Sequence, residues 1–247
     1  MHHPESLARV VLKEAVGLYR ARVDHRVAQA NQVMGLLKRW GIMAKEKDFQ
    51  SPEDRARVLA EMAAGVGGAG AAAGHVLLLW RGYDAAAREE AALHRELVRL
   101  AQREEVVVRW EKIPGIGWIR GITLLAYLDT PWRFKSKRHL WKYLGIGLTR
   151  AHSGNGYTRI HVDNSGNRAL KDVILGAAET VLQHKRGELY RRYEYWRGAG
   201  QSYKNARRNV ARDIAAACWA MWKTGGEFDE RLLGGKPVAA STEGGGL

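Results

Sequence analysis

ESLARVVLKEAVGLYRARVDHRVAQANQVMGLLKRW, residues 5–40, is the stretch whose periodicity decides the fold class. Val16, Tyr19, Val23, Ala30, Val33, Leu37 and Trp40 recur at three- and four-residue steps, with Arg26 breaking one position. Such spacing places the apolar side chains along one stripe of a helix, the seam of a helical hairpin or coiled coil. Gly41 follows as the carboxy-terminal cap. A second long helix is expected from about Val76 to Trp110, with Leu79, Leu93, Leu97 and Leu100 on its apolar side, pairing antiparallel with the first. Between them a shorter helix starts at Ser51, where the hydroxyl caps, Pro52 takes the first helical position and Asp54 completes a capping box. It ends near Met62. The run Gly65–Gly74 has the composition of a hinge. Packing alone accounts for such patterns as well as any activity does.

The expected fold is therefore mainly α: a long antiparallel helical hairpin or coiled coil, then a compact helical domain containing a helix-hairpin-helix element. Residues 1–110 form the helical connector, with its hinge at 65–74. Residues 111–233 form the second domain, and 234–247 a disordered glycine-rich tail. The formal charge of +14 over 247 residues favours a polyanionic partner, nucleic acid before an anionic membrane. The single cysteine, Cys218, excludes an internal disulfide and reads as a core residue of an apolar run. No leader and no membrane span are expected, which points to the cytoplasm.

Four motifs in the second half could carry chemistry. Ile113-Pro114-Gly115-Ile116-Gly117 precedes an apolar helix reaching about Leu128. Gly115 and Gly117 let backbone approach a phosphate, the following helix start offers N–H donors, and Lys112 and Arg120 flank the turn. A tight turn between packed helices reads the same way. Trp132-Arg133-Phe134-Lys135-Ser136-Lys137-Arg138 leads into a short helix at 136–144. Lys137 and Arg138 suit phosphates, or form a solvated face, and Phe134 is a core anchor. The polar stretch 145–165 is expected to be irregular and holds Arg150-Ala151-His152-Ser153-Gly154-Asn155-Gly156-Tyr157-Thr158-Arg159. A serine hydroxyl here can attack a DNA phosphate if it is activated and the phosphoryl charge is neutralised, which the flanking Arg150 and Arg159 or a metal could supply. On spacing alone a surface turn is the plainer reading, and His152 adds little as a proton acceptor. Finally, in Asp163-Asn164-Ser165-Gly166-Asn167-Arg168-Ala169-Leu170-Lys171, Asn164 or Ser165 caps the next helix, and Arg168 and Lys171 share one face. Helices at about 167–183, 186–197 and 203–223 complete the chain.

In this order the motifs resemble one family. IPGIG, an apolar helix, WRF, a helix ending in Leu144-Gly145, His152-Ser153-Gly154 and Ser165-Gly166-Asn167-Arg168-Ala169-Leu170-Lys171 are similar to the transposase domain of the insertion-sequence-one-ten family, over about residues 113–183. The resemblance implies a serine nucleophile at Ser153, DNA and a structured guide RNA as partners, and homo-oligomers. It also implies an amino-terminal RuvC-like domain with an Asp-Glu-Asp-Asp metal site, which this sequence is expected to lack. Asp129, Asp163 and Asp172 do not fall on that motif. No metal is then held by this chain, and Mg²⁺ enters only with an acidic domain supplied elsewhere. Leu148 stands where the family often has proline, and Asn164 where it often has lysine. The expected function is a DNA transposase or recombinase component that is incomplete alone. The alternatives are a non-catalytic nucleic-acid-binding remnant or regulator, and an unrelated helix-hairpin-helix architectural protein.

Overall fold

The computed structural model describes residues 7–65, 72–152, 158–162 and 166–233. Residues 66–71 of the expected hinge, the tail 234–247 and Ser153 lie outside them. The architecture is mainly α, with nine α-helices and one two-stranded ladder among the described residues. By contacts the chain divides into two compact units, residues 14–96 and residues 1–13 with 97–247. The division falls inside the third helix, upstream of the expected boundary after residue 110.

In the unit 14–96 the helices are α1 (Leu7–Arg39), α2 (Pro52–Ala64) and α3 (Ala73–Ala101). Val33, Leu37, Phe49, Met62, Val76 and Trp80 form its core. Contacts step up one long helix as they step down the other: Tyr19 meets His94 at 6.1 Å between ring centroids, and Arg22 pairs with Glu89 at 3.2 Å. Arg26, the residue that interrupts the apolar stripe, is bonded to both Glu90 and Glu46, so its charge is neutralised in place. Trp40 lies just beyond the helix and is exposed, at the point where Gly41 (φ +80°) turns the chain. Ser51 caps α2 as expected, its Oγ accepting from Asp54 N at 3.1 Å. Arg55 grips Asp84 with two hydrogen bonds of 2.8 and 2.6 Å, tying α2 to α3.

The second long helix is not continuous to Trp110. It stops at Ala101, and a separate α4 (Glu105–Trp110) follows a tight turn at 102–104. Val106, Val107 and Trp110 of α4 are buried within the unit containing residues 97–247. There α5 (Trp118–Leu128) packs on α4 and on α7 (Arg168–His184), while α4, α6 (Lys137–Tyr143), α7 and α8 (Glu188–Gly198) pack on α9 (Tyr203–Thr224). Alanines 206, 211 and 215 and Cys218 keep its inward face narrow. Burial pushes the Cys218 thiol well above its ordinary range, so this thiol is inert. Three indoles tie the neighbours on: Trp110 donates to Cys218 O (2.8 Å), Trp141 to Arg212 O (3.0 Å), and Trp219 of α9 to Pro131 O (2.8 Å). No helix of the described residues is long and apolar enough to cross a membrane.

The segment expected to be irregular forms a hairpin. β1 (Leu148–His152) pairs antiparallel with β2 (Thr158–Val162), from Leu148 opposite Val162 to His152 opposite Thr158. The returning arm alternates polar and apolar residues over Arg159-Ile160-His161-Val162, as a strand does.

Candidate functional site

The hairpin stands on a root of glycines. α6 ends at Tyr143 with Leu144 as its cap, and Gly145 reverses the chain at φ +66°. The outgoing arm begins at Gly147, where a Cβ would lie 2.9 Å from Lys142 Cα. The returning arm arrives at Gly166, where a Cβ would lie 2.2 Å from Gly145 N and 2.7 Å from Lys142 O. Two backbones therefore touch, and only hydrogen fits between them. Asn167 N donates to Tyr143 O at 2.8 Å, closing the root from the other side. Asn167 also caps α7, its Oδ1 accepting from Leu170 N at 3.2 Å. This corrects the expectation that Asn164 or Ser165 caps that helix. The cap needs a residue whose main chain is fixed at the helix start, and Asn167 is held there by Tyr143.

Beneath the root lies a residue that sequence reasoning missed. Arg212 of α9 is 8% exposed, and its Nε donates to Ile146 O at 2.8 Å. Burial lowers its affinity for the proton, as does neighbouring Arg208. Arg212 thus fixes the carbonyl just before β1. Asp213, the next residue, pairs with Arg192 at 2.8 Å, and burial raises its carboxyl above the usual range against the pull of Arg192. The available signal was the pair of glycine-bearing stretches, Gly145-Ile146-Gly147 and Ser165-Gly166-Asn167, on either side of a polar segment.

The expected site residues separate into three groups. Ser153 lies outside the described residues. Arg150 and Arg159 occupy adjacent rungs of the ladder, opposite Ile160 and Ala151 respectively. Arg168 is exposed at the start of α7, and the stem of Lys171 packs on Gly145, so both stand at the hairpin root. Lys137 and Arg138 are exposed on α6, the Lys137 ammonium 5.7 Å from the Trp141 ring centre.

The turn before α5 behaves differently. Gly115 has φ +87°, and a Cβ there would lie 2.3 Å from Ala177 O of α7, so helix packing alone accounts for the glycine. Arg120, expected at a phosphate, is turned inward instead: its Nη1 donates to Gly115 O (2.8 Å) and to Thr180 Oγ1 (3.0 Å). Burial lowers its pKa, and its guanidinium serves the turn rather than a ligand. Gly117 opens α5 with free space around it. Lys112 is exposed and pairs with Glu227 at 2.6 Å. Phe134 is buried, as expected of a core anchor, whereas Trp132 is 71% exposed. Among the described residues no three His, Cys, Asp or Glu side chains group as a metal site would require.

Comparison with known proteins bears on this half of the chain. Residues 109–194 match the family model described as Transposase IS116/IS110/IS902 family. The chain is 24% identical over 164 residues to the transposase for insertion sequence element IS1111A of Coxiella burnetii, covering 66% of this chain and 44% of that protein. It is 25% identical over 153 residues to the 43.6 kDa protein of insertion element IS110 from Streptomyces coelicolor, covering 62% of this chain and 37% of that protein. The chain spans less than half the length of these curated relatives.

Proposed function

Residues 109–194 of this chain belong to the IS116/IS110/IS902 transposase family, and from that premise we propose that the protein is a DNA transposase component that cuts and rejoins DNA strands through Ser153. The observation that supports the reading is the rooted hairpin: within the matched segment, Gly145, Gly147 and Gly166 bring main chain into direct contact where the two strands flanking this serine begin and end. A nucleophile needs a fixed approach to the phosphorus, and rigid support provides it.

In the proposed step the Ser153 oxygen attacks a backbone phosphorus. One serine–phosphorus bond forms as one sugar–oxygen–phosphorus bond breaks. The serine proton leaves to a base, and the released sugar hydroxyl takes one up. Arg150 and Arg159 neutralise the charge on the phosphoryl oxygens. The reverse attack by a second strand's hydroxyl reseals the backbone and frees the serine, so no external energy source is needed. The described residues form no metal site, and no step runs through a metal held by them. An acidic, Mg²⁺-binding domain acts alongside from outside these residues. Arg168, Lys171, Lys137 and Arg138 extend the phosphate-binding face, and α4, the turn and α5 act as a helix-hairpin-helix element through the N–H groups around Gly117. A structured guide RNA and further copies of the chain complete the assembly, with the long helices α1 and α3 mediating self-association.

The test is covalent capture. Wild-type protein, the acidic domain, guide RNA, Mg²⁺ and an end-labelled duplex are expected to give a protein–DNA adduct that survives detergent, and Ser153→Ala to give none. No adduct from the wild type under these conditions sinks the nucleophile assignment. Duplex binding that persists without any adduct assigns the chain a binding-only role.

A further inference from the structure

The turn from α8 into α9 carries a surface that the hairpin chemistry does not use. Residues 185–208 hold eight lysines and arginines against two glutamates, with four tyrosines and one tryptophan among them. On α8, Leu189 and Arg192 point into the core. Tyr190, Tyr193 and Arg197 follow at three- and four-residue steps along an adjoining flank, the tyrosines half-buried and Arg197 exposed. Tyr203, the first residue of α9, joins the row from the other helix and is 41% exposed.

The rings form a continuous line. Tyr190 and Tyr193 lie 5.9 Å apart between centroids, and Tyr193 and Tyr203 lie 6.2 Å apart. The Arg207 guanidinium sits 5.6 Å from the Tyr203 ring centre. Glu179 of α7 fixes this end, accepting from the Tyr203 hydroxyl at 2.7 and 2.6 Å and pairing with Arg207 at 2.8 Å. The backbone around the row is fixed too, since the Arg197 Nη1 donates to Gln201 O at 2.6 Å. The hydroxyls of Tyr203 and Tyr190 are engaged by Glu179 and Glu194, so what the row offers a ligand is ring surface and cations.

We propose that the row Tyr190–Tyr193–Tyr203, edged by Arg197, Lys204 and Arg207, is a docking surface for single-stranded DNA. Flat rings take unpaired bases of any sequence, and the flanking cations follow the phosphates. A duplex hides its bases in the stack and offers these rings nothing. Single-stranded DNA is the occupant because strand exchange, as proposed above, separates DNA strands, and an unpaired strand needs a place to lie. The surface rests on that reading for its role but not for its chemistry.

The experiment uses the full chain and fluorescence anisotropy with a labelled oligo(dT) of about 15 nucleotides. A stacked base contributes about 1–3 kcal/mol by alanine substitution, so the Tyr190→Ala/Tyr193→Ala pair is expected to weaken oligo(dT) binding at least tenfold. The Tyr190→Phe/Tyr193→Phe pair, which keeps the rings, is expected to stay within about twofold. Affinity for a duplex is expected to be unchanged in both, and Ser153→Ala is expected to leave oligo(dT) binding intact, which separates this surface from the hairpin. Should the alanine pair melt at a lower temperature, Arg197→Gln/Lys204→Gln is read instead. Its salt slope is expected to fall by about 1.4, two contacts at about 0.7 each. Oligo(dT) binding within twofold of wild type in a well-folded alanine pair overturns the proposal, as does an unchanged salt slope in the glutamine pair. Tighter binding of oligo(rU) than of oligo(dT) gives the surface to RNA and overturns it equally.

Discussion

Glu179 shows how a single side chain can be read for its consequences. It receives the Tyr203 hydroxyl and the Arg207 guanidinium, and these two, in that order, hold its carboxyl below the ordinary glutamate range. A carboxylate whose pKa is lower folded than unfolded stabilises the fold fully above its unfolded value, near 4.3, and loses that contribution as pH falls through the folded value. Glu179→Gln is therefore expected to lower the melting temperature by a constant amount from about pH 8 to 5. The gap to wild type closes below about pH 4. A gap that widens on acidification would contradict the assignment. Arg26 and Arg120 were visible in the sequence as charges, but their partners, Glu46 and Glu90 for one and Thr180 Oγ1 for the other, come from distant chain. Nothing local distinguishes a cation that will meet a phosphate from one that will bind a carbonyl inside the fold.

At the scale of elements, the hairpin and its root are the feature with the sharpest consequence. Gly166→Ala places a methyl group 2.2 Å from Gly145 N, against main chain that has no rotamer to give way. Overpacking of this kind costs about 1–3 kcal/mol, which corresponds to a fall in melting temperature of several degrees for a chain of this size. Gly117→Ala, where the same methyl meets nothing within 4 Å, is the control and is expected to be nearly neutral. Differential scanning calorimetry of the two variants decides the matter: equal melting temperatures would show that the root yields. The ladder had a partial signal in the alternation of residues 159–162 on its returning arm. The high polarity of the stretch and the glycines within it obscured that alternation. The break between α3 and α4 had no comparable signal, since Gln102-Arg103-Glu104 contains neither glycine nor proline.

For the whole molecule the governing quantity is charge. A surplus of +14 draws any polyanion, and the proposed face supplies at least four phosphate contacts through Arg150, Arg159, Arg168 and Lys171. At about 0.9 per contact, duplex affinity is expected to fall roughly a hundredfold between 50 and 200 mM salt. Filter binding across that range provides the measurement. A fall of less than tenfold would remove DNA backbone as the principal partner of this face. The family relationship works at this scale too: the ordered run of motifs at 113–183 lies inside the matched segment 109–194, although none of its pieces is specific alone.

The sequence by itself determined the mainly helical class, the α2 cap, the core positions of Phe134 and Cys218, the basic character and the family match over residues 109–194. Each of these depends on residues close along the chain, on summed composition or on the order of motifs. Tertiary structure alone decided that α3 and α4 are separate helices, that Gly115 and Arg120 serve packing against α7, that Asn167 caps that helix, and that Gly145 and Gly166 meet under the hairpin. Those outcomes depend on which distant backbone occupies the neighbouring space, and that is set only when the helices pack around α9.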